Sequence, residues 1–124
     1  MSSNQTFISI IIPTYKGETT LEKLIKELIQ VFEKYKIEII IVNDCSPDDT
    51  HKICKKLINE FPQNITYIQL SKNFGEHNAV MAGLRNCDGD MALIMDDDYQ
   101  NLPSEALKLA EHTINNDYDV VFTN

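Results

Sequence analysis

The sequence predicts a single α/β domain built on a doubly wound, mostly parallel sheet with helices on both faces. Three observations carry that prediction. Short apolar, β-branched runs alternate with segments whose apolar residues recur at helical spacing, which is the pattern of repeated βα units. The connections are short, with no repeat, low-complexity tract or linker. Several of the apolar runs end abruptly in polar loops, as strands do when they deliver side chains to the rim of a sheet.

Phe7 to Pro13 is the first strand, continuous and apolar as a strand covered on both faces must be, and ended by proline. Thr19 and Glu22 stand three apart, as in a capping box, ahead of Leu21, Leu24, Ile25, Leu28 and Phe32, so a helix is predicted from about 20 to 35. Ile37 to Val42 repeats the buried-strand pattern and stops at Asn43-Asp44. Ser46-Pro47-Asp48-Asp49 reads as an N-cap, a proline in the first helical position and acids in the first turn of a second helix closed by Pro62. Ile65 to Leu70 is a third strand, with Thr66 and Gln69 placing it nearer an edge. Gly75 to Asn86 is a weaker third helix, Asp88-Gly89-Asp90 a turn, and 91–95 the central fourth strand. A fourth helix opens at Asn101-Leu102-Pro103, and Val120-Val121-Phe122 begins a fifth strand.

Composition narrows the function. One domain is expected from 124 residues, and 43% hydrophobic with 24% charged residues excludes disorder. A net charge of -8 argues against nucleic-acid binding, which needs clustered Lys and Arg. The cysteines Cys45, Cys54 and Cys87 are odd in number and lack CxxC spacing, so they read as small hydrophobes in a reducing compartment. His51, His77 and His112 fall on polar helical positions and read as solvent-exposed. No apolar run approaches the ~18 residues of a membrane span, and a cytoplasmic location is expected.

The expected strand order, 3-2-1-4-5, makes strands 1 and 4 neighbours where the winding reverses, and ligands bind there, outside the carboxyl ends of the strands. The loops Thr14-Tyr15-Lys16-Gly17-Glu18 and Asp96-Asp97-Asp98-Tyr99-Gln100 would meet at that crevice, with Asn43-Asp44 one strand away. Three adjacent carboxylates at a strand end repel one another unless solvent or a cation intervenes. Asp96 and Asp98, with Gln100, offer hard oxygen ligands to Mg²⁺ or Mn²⁺. Asp44 suits the ring N–H of a uracil or guanine, Tyr15 a base or ribose. Lys72, Asn73 and Gly75 follow strand 3, further from the crevice, where a cation and backbone N–H groups suit phosphate or ribose.

Taken together, Ile10-Ile11-Ile12-Pro13-Thr14-Tyr15-Lys16-Gly17-Glu18, Ile41-Val42-Asn43-Asp44-Cys45-Ser46-Pro47-Asp48-Asp49-Thr50, Lys72-Asn73-Phe74-Gly75, Ala82-Gly83-Leu84 with Gly89-Asp90, and Met95-Asp96-Asp97-Asp98-Tyr99-Gln100 closely resemble the family-two inverting glycosyltransferases of the Rossmann-like GT-A fold. The Asp-x-Asp-x-Gln pattern followed by proline resembles most the branch that transfers sugar to polyprenyl or dolichyl phosphate. The resemblance implies that Pro13, Tyr15, Glu18 and Asp44 contact the nucleoside of a UDP- or GDP-sugar, with Lys72 and Asp97 also at the nucleotide. It implies that Asp96 lies near ribose and metal, that Asp98 and Gln100 hold the divalent ion, and that the acceptor is a lipid phosphate or glycan. Lys16 is more often Asn in such proteins, and Asn43 often Asp. Relatives continue past the fifth strand with the acceptor site and catalytic base, so the segment reads as the nucleotide-sugar half, truncated after that strand, slow or inactive in transfer alone. Self-association through an apolar face is a further expectation, as is a full-length form at the cytoplasmic face of the membrane. Two rivals carry less: a receiver-like Mg²⁺-binding signalling domain, whose acids should end strands 1 and 3, and a non-catalytic sugar-nucleotide-binding or interaction module.

Overall fold

The computed structural model describes residues 6–97, 102–115 and 120–122. Its elements run β1 (Phe7–Thr14), α1 (Leu21–Val31), β2 (Lys36–Asn43), α2 (Thr50–Glu60), β3 (Ile65–Gln69), α3 (Glu76–Arg85), β4 (Met91–Ile94), α4 (Pro103–Asn115) and β5 (Val120–Phe122). All strand pairs are parallel, and the order is β3-β2-β1-β4-β5, as the sequence predicts. A receiver-like topology is thereby excluded: its 2-1-3-4-5 order would set β1 between β2 and β3.

The isoleucine-rich strands explain the layering. Side chains alternate across a strand, so Ile8, Ile10 and Ile12 join Ile37, Ile39, Ile41 and Leu93 on one face, under Leu24 and Leu28 of α1, Leu57 of α2 and Ala110 of α4. Ile11, Ile40, Val42, Ala92 and Ile94 meet Ala79 and Val80 of α3 on the other. The α3 backbone lies close on β1 because residue 83 is glycine: a Cβ there would stand 2.5 Å from Ile11 Cγ2. At the end of the sheet away from the polar loops, buried Ser9 donates to Glu38 Oε2 at 2.6 Å and accepts the Gly89 N–H at 2.8 Å. This fastens the turn before β4 to β1.

Several local expectations give way to tertiary contacts. The capping box does not form, because Thr20 rather than Thr19 occupies the N-cap and Glu22 is held by Lys26 and Lys56 at 2.8 Å each. Those two hydrogen bonds take its carboxyl down to about 2. The Gly17 carbonyl instead accepts the N–H groups of Thr20 and Leu21. Helix α1 stops at Val31, short of the expected 35, and Tyr35 N–H bonds back to the Phe32 carbonyl. Helix α2 starts at Thr50, not Pro47, since both hydrogens of Ser46 go to Asn43 Oδ1. Asp48 organises the first turn instead, accepting from Thr50 N–H at 3.0 Å and Thr50 Oγ–H at 2.5 Å. Burial works against the Asp48 carboxylate, yet the hydrogen bonds from Thr50 and Glu18 outweigh it and leave its pKa lowered. Of the cysteines, only Cys54 is fully buried; Cys45 and Cys87 are half-exposed.

Candidate nucleotide site

Three connections converge where the winding reverses. The end of β1 supplies Pro13, Thr14 and Tyr15; the end of β2, Asp44; the end of β4, Asp97. With Asn73, Gly75, Glu76 and Ala79 these line a cleft of about 270 Å³. Lys16 (φ 60°) and Cys45 (φ 58°) both take the left-handed conformation, turning the chain sharply after β1 and β2. Cross-links between the loops hold those turns. Asp44 N–H bonds to the Thr14 carbonyl at 2.9 Å, Lys16 N–H to Ser46 Oγ at 3.0 Å, and Gly17 N–H to Thr50 Oγ1 at 3.0 Å.

Asp44 is the most constrained acid of the site. It is only 4% exposed, and its two oxygens accept the Phe74 N–H at 2.8 Å and the Gly75 N–H at 2.9 Å. The Gly75 N–H, at the N-cap of α3, is one of the donors that the start of a helix leaves without helical partners, and the Phe74 N–H directly precedes it. The bonds correct the sequence expectation for the 72–75 loop: it is not remote from the crevice but drawn into its wall. Gly75 makes the approach with φ 95°. Each carboxylate oxygen retains a second lone pair for a ligand donor.

Asp97 accepts a short hydrogen bond from Thr14 Oγ1, which ties the end of β4 across to β1. Gly17 leaves room for that carboxylate, since a Cβ there would lie 2.6 Å from Asp97 Oδ2. Asp96 is half-exposed beside it. Tyr15 stands 44% exposed at the mouth, with Lys16 Nζ 5.4 Å from its ring centre.

Not every expected residue meets the cleft. Glu18 is exposed and outside its lining. Lys72 is also outside, its Nζ 5.4 Å from the Phe74 ring centre. Thr14, Glu76 and Ala79 line it without having been singled out as ligand residues; only the parallel pairing of β1 with β4 and the Asp44 clamp bring them there. His51 is not simply exposed, because its Nδ1 lies 2.8 Å from the Tyr67 hydroxyl. The expected metal ligands Asp98 and Gln100 fall outside the described residues, as does Tyr99. Among the described residues, no three His, Cys, Asp or Glu side chains are grouped to hold a metal ion. The chemistry of the expected donor set still fits a hard divalent cation, with Asp96 its half-exposed member at the rim.

A parallel sheet in this order, with a cleft at its switch point, defines a doubly wound α/β domain whose ligand crevice lies outside the carboxyl ends of the strands. Comparison with known proteins makes the class specific. The glycosyl transferase family 2 profile matches residues 9–124, and the chain belongs to that family. It is 37% identical over 120 residues to the undecaprenyl-phosphate 4-deoxy-4-formamido-L-arabinose transferase of Proteus mirabilis, covering 94% of this chain and 36% of that one. The chain thus spans about a third of the length of the curated relatives it matches. Among solved structures, S. aureus TarS 1-349 in complex with UDP-GlcNAc superposes with a TM-score of 0.68 at 31% identity, over 88% of this chain and 31% of that one. The mannosyltransferase PcManGT from Pyrobaculum calidifontis, at 21% identity, 84% and 31% coverage and a TM-score of 0.69, shares the fold. The architecture is that of the GT-A glycosyltransferases.

Proposed function

We propose that this chain is the donor-binding part of a glycosyltransferase that takes a nucleotide-diphospho-sugar with a divalent metal and transfers the sugar, with inversion, to polyprenyl phosphate. The observation that carries the reading is the cleft at the β1/β4 switch point, where Tyr15, Asp44 and Asp97 converge from three strand ends. Its support in known proteins is twofold. The curated relatives are named for transfer to undecaprenyl phosphate, and TarS is titled as a complex with UDP-GlcNAc. In this reading, Tyr15 packs on the base or ribose and Asp44 accepts from a base ring N–H. Asp97 and Thr14 fix the spacing between the β1 and β4 ends across which the nucleotide lies.

The metal, Mg²⁺ or Mn²⁺, would be held by Asp96 with Asp98 and Gln100, and when bound it neutralises charge on the departing diphosphate. The bond from the sugar anomeric carbon to the diphosphate oxygen breaks as an acceptor phosphate oxygen bonds to that carbon from the opposite face. The nucleoside diphosphate leaves. A phosphate acceptor is already anionic and needs less help from a base than an alcohol does. We place the full-length protein at the cytoplasmic face of a membrane; among the described residues no helix is long and apolar enough to cross one.

Calorimetric titration with UDP and with GDP, each with and without Mn²⁺, tests the reading alongside Asp98→Ala. Metal-dependent binding of one nucleotide, lost in the variant, is expected and names the base. A folded chain that binds neither would sink the proposal.

A further inference from the structure

We propose that Tyr67, on the edge strand β3, is a positioning residue for the nucleotide cleft, acting through Asn43 on the Ser46–Lys16 junction beside Tyr15. The inference rests on the donor-site reading above. Its carrier is a chain of hydrogen bonds whose direction can be deduced from Ser46 through Asn43 to Tyr67. Ser46 N–H, which can only donate, bonds to Asn43 Oδ1 at 3.0 Å, and Ser46 Oγ–H donates to the same oxygen at 2.6 Å. That fixes the amide orientation and turns Asn43 Nδ2 toward the Tyr67 hydroxyl oxygen, 3.0 Å away. The Tyr67 oxygen thus accepts from Asn43, and it also lies 2.8 Å from His51 Nδ1. At the other end, Ser46 Oγ accepts the Lys16 N–H at 3.0 Å.

Each member has a defined place. Asn43 is fully buried, so an amide nitrogen left without an acceptor there costs stability and invites rotation of the side chain. Rotation would put NH₂ against the Ser46 N–H, a donor against a donor, and free the Ser46 loop. What moves then is the backbone at Lys16, next to Tyr15, and the left-handed turn at Cys45, next to Asp44. Both neighbours line the cleft. Tyr67 touches none of it directly. It sits across β2 on the covered face, packed against the core cluster beneath α2.

The test is Tyr67→Phe, which keeps the ring and removes the hydroxyl. Nucleotide affinity is measured by calorimetry, stability by thermal melting, and the Ser46 and Lys16 amides by ¹⁵N–¹H NMR without ligand. The expected result is nucleotide binding weakened about fivefold, the worth of one net hydrogen bond. The Ser46 and Lys16 resonances should shift, while those of Phe74 and Gly75, clamped by Asp44, stay in place. Wild-type affinity in Tyr67→Phe overturns the inference alone. A wild-type chain that takes up neither UDP nor GDP overturns the donor-site reading, and this inference with it. Should Tyr67→Phe not fold, Asn43 variants read the same link. Asn43→Asp accepts from both Ser46 and the Tyr67 hydroxyl, so it should bind nucleotide at least about fivefold better than Asn43→Ala. Equal binding by the two overturns the proposal.

Discussion

The Asp44 carboxylate and the Gly75 backbone N–H meet at 2.9 Å, across 31 residues of chain, and this bond joins the end of β2 to the start of α3. Together with the Phe74 N–H on the other oxygen it makes the cleft wall continuous between two crossovers. Asp44→Ala removes both bonds and leaves the part-buried Phe74 and Gly75 N–H groups without that carboxylate. Hydrogen bonds to a charged group are worth about 1.5–3 kcal/mol each, so a loss of about 3 kcal/mol is predicted in urea unfolding. Asp44→Asn keeps one acceptor oxygen and should lose about half as much. Equal stability of wild type and Asp44→Ala would show that the clamp contributes nothing in solution.

The close approach of α3 to β1 yields a prediction in which two effects compete. Alanine at position 83 gains about 1 kcal/mol of helix propensity over glycine. Its Cβ would stand 2.5 Å from Ile11 Cγ2, and Ile11 is fully buried, so the contact cannot relax outward. Overpacking typically costs about 1–3 kcal/mol and should win, making Gly83→Ala net destabilising. Ile11→Ala removes the obstructing atoms, so the two changes should compensate each other in a double-mutant cycle. A Gly83→Ala protein more stable than wild type would mean that the helix shifts freely on the sheet.

How much of this was legible in the sequence follows from where each signal lives. The order of the strands was readable because Ile10-Ile11-Ile12 and Ile39-Ile40-Ile41 are apolar on both faces, which only central parallel strands need. The meeting of Tyr15, Asp44 and Asp97 followed from that order. The starts of α1, α3 and α4 were readable to within a residue or two, but the start of α2 and the capping contacts were not. The capping signals at Thr19 and Ser46 are local, and Glu22 and Ser46 found stronger partners at Lys56 and Asn43. Likewise the role of the Asn73 loop, and the linkage of His51 to Tyr67, depend on contacts between residues far apart in sequence or on neighbouring elements. Periodicity carries no information about those.

Cysteine chemistry separates the three thiols. Burial, partly offset by a hydrogen bond with Tyr67, pushes the Cys54 thiol up to about 12 from an ordinary 9. Since the folded pKa is the raised one, this group's stabilisation is complete below pH 9. It is lost as pH climbs from 9 to about 12, where the unfolded chain ionises and the folded one does not. At pH 8 a thiol reagent should therefore label half-exposed Cys45 and Cys87 and spare Cys54 until denaturant is added. Mass spectrometry of the labelled peptides decides it; Cys54 labelling as fast as Cys45 in the native protein would contradict the packing of α2 on the sheet.

The charge of the cleft sets the last expectation. Asp44, Glu76 and Asp97 line it and Asp96 lies beside them, in a chain of net charge -8. A diphosphate entering such a site meets like charge, and a divalent cation is the efficient remedy. Ligand binding raises stability by about 2.7 kcal/mol at a hundredfold excess over Kd. UDP or GDP with Mn²⁺ should accordingly raise Tm by several degrees, and EDTA should abolish the rise. The matching monophosphate should give a smaller shift that responds less to EDTA, because it lacks the second phosphate for the metal to bridge. An EDTA-resistant shift equal for mono- and diphosphate would place recognition in the nucleoside alone, and would remove the metal from the reading of Asp96.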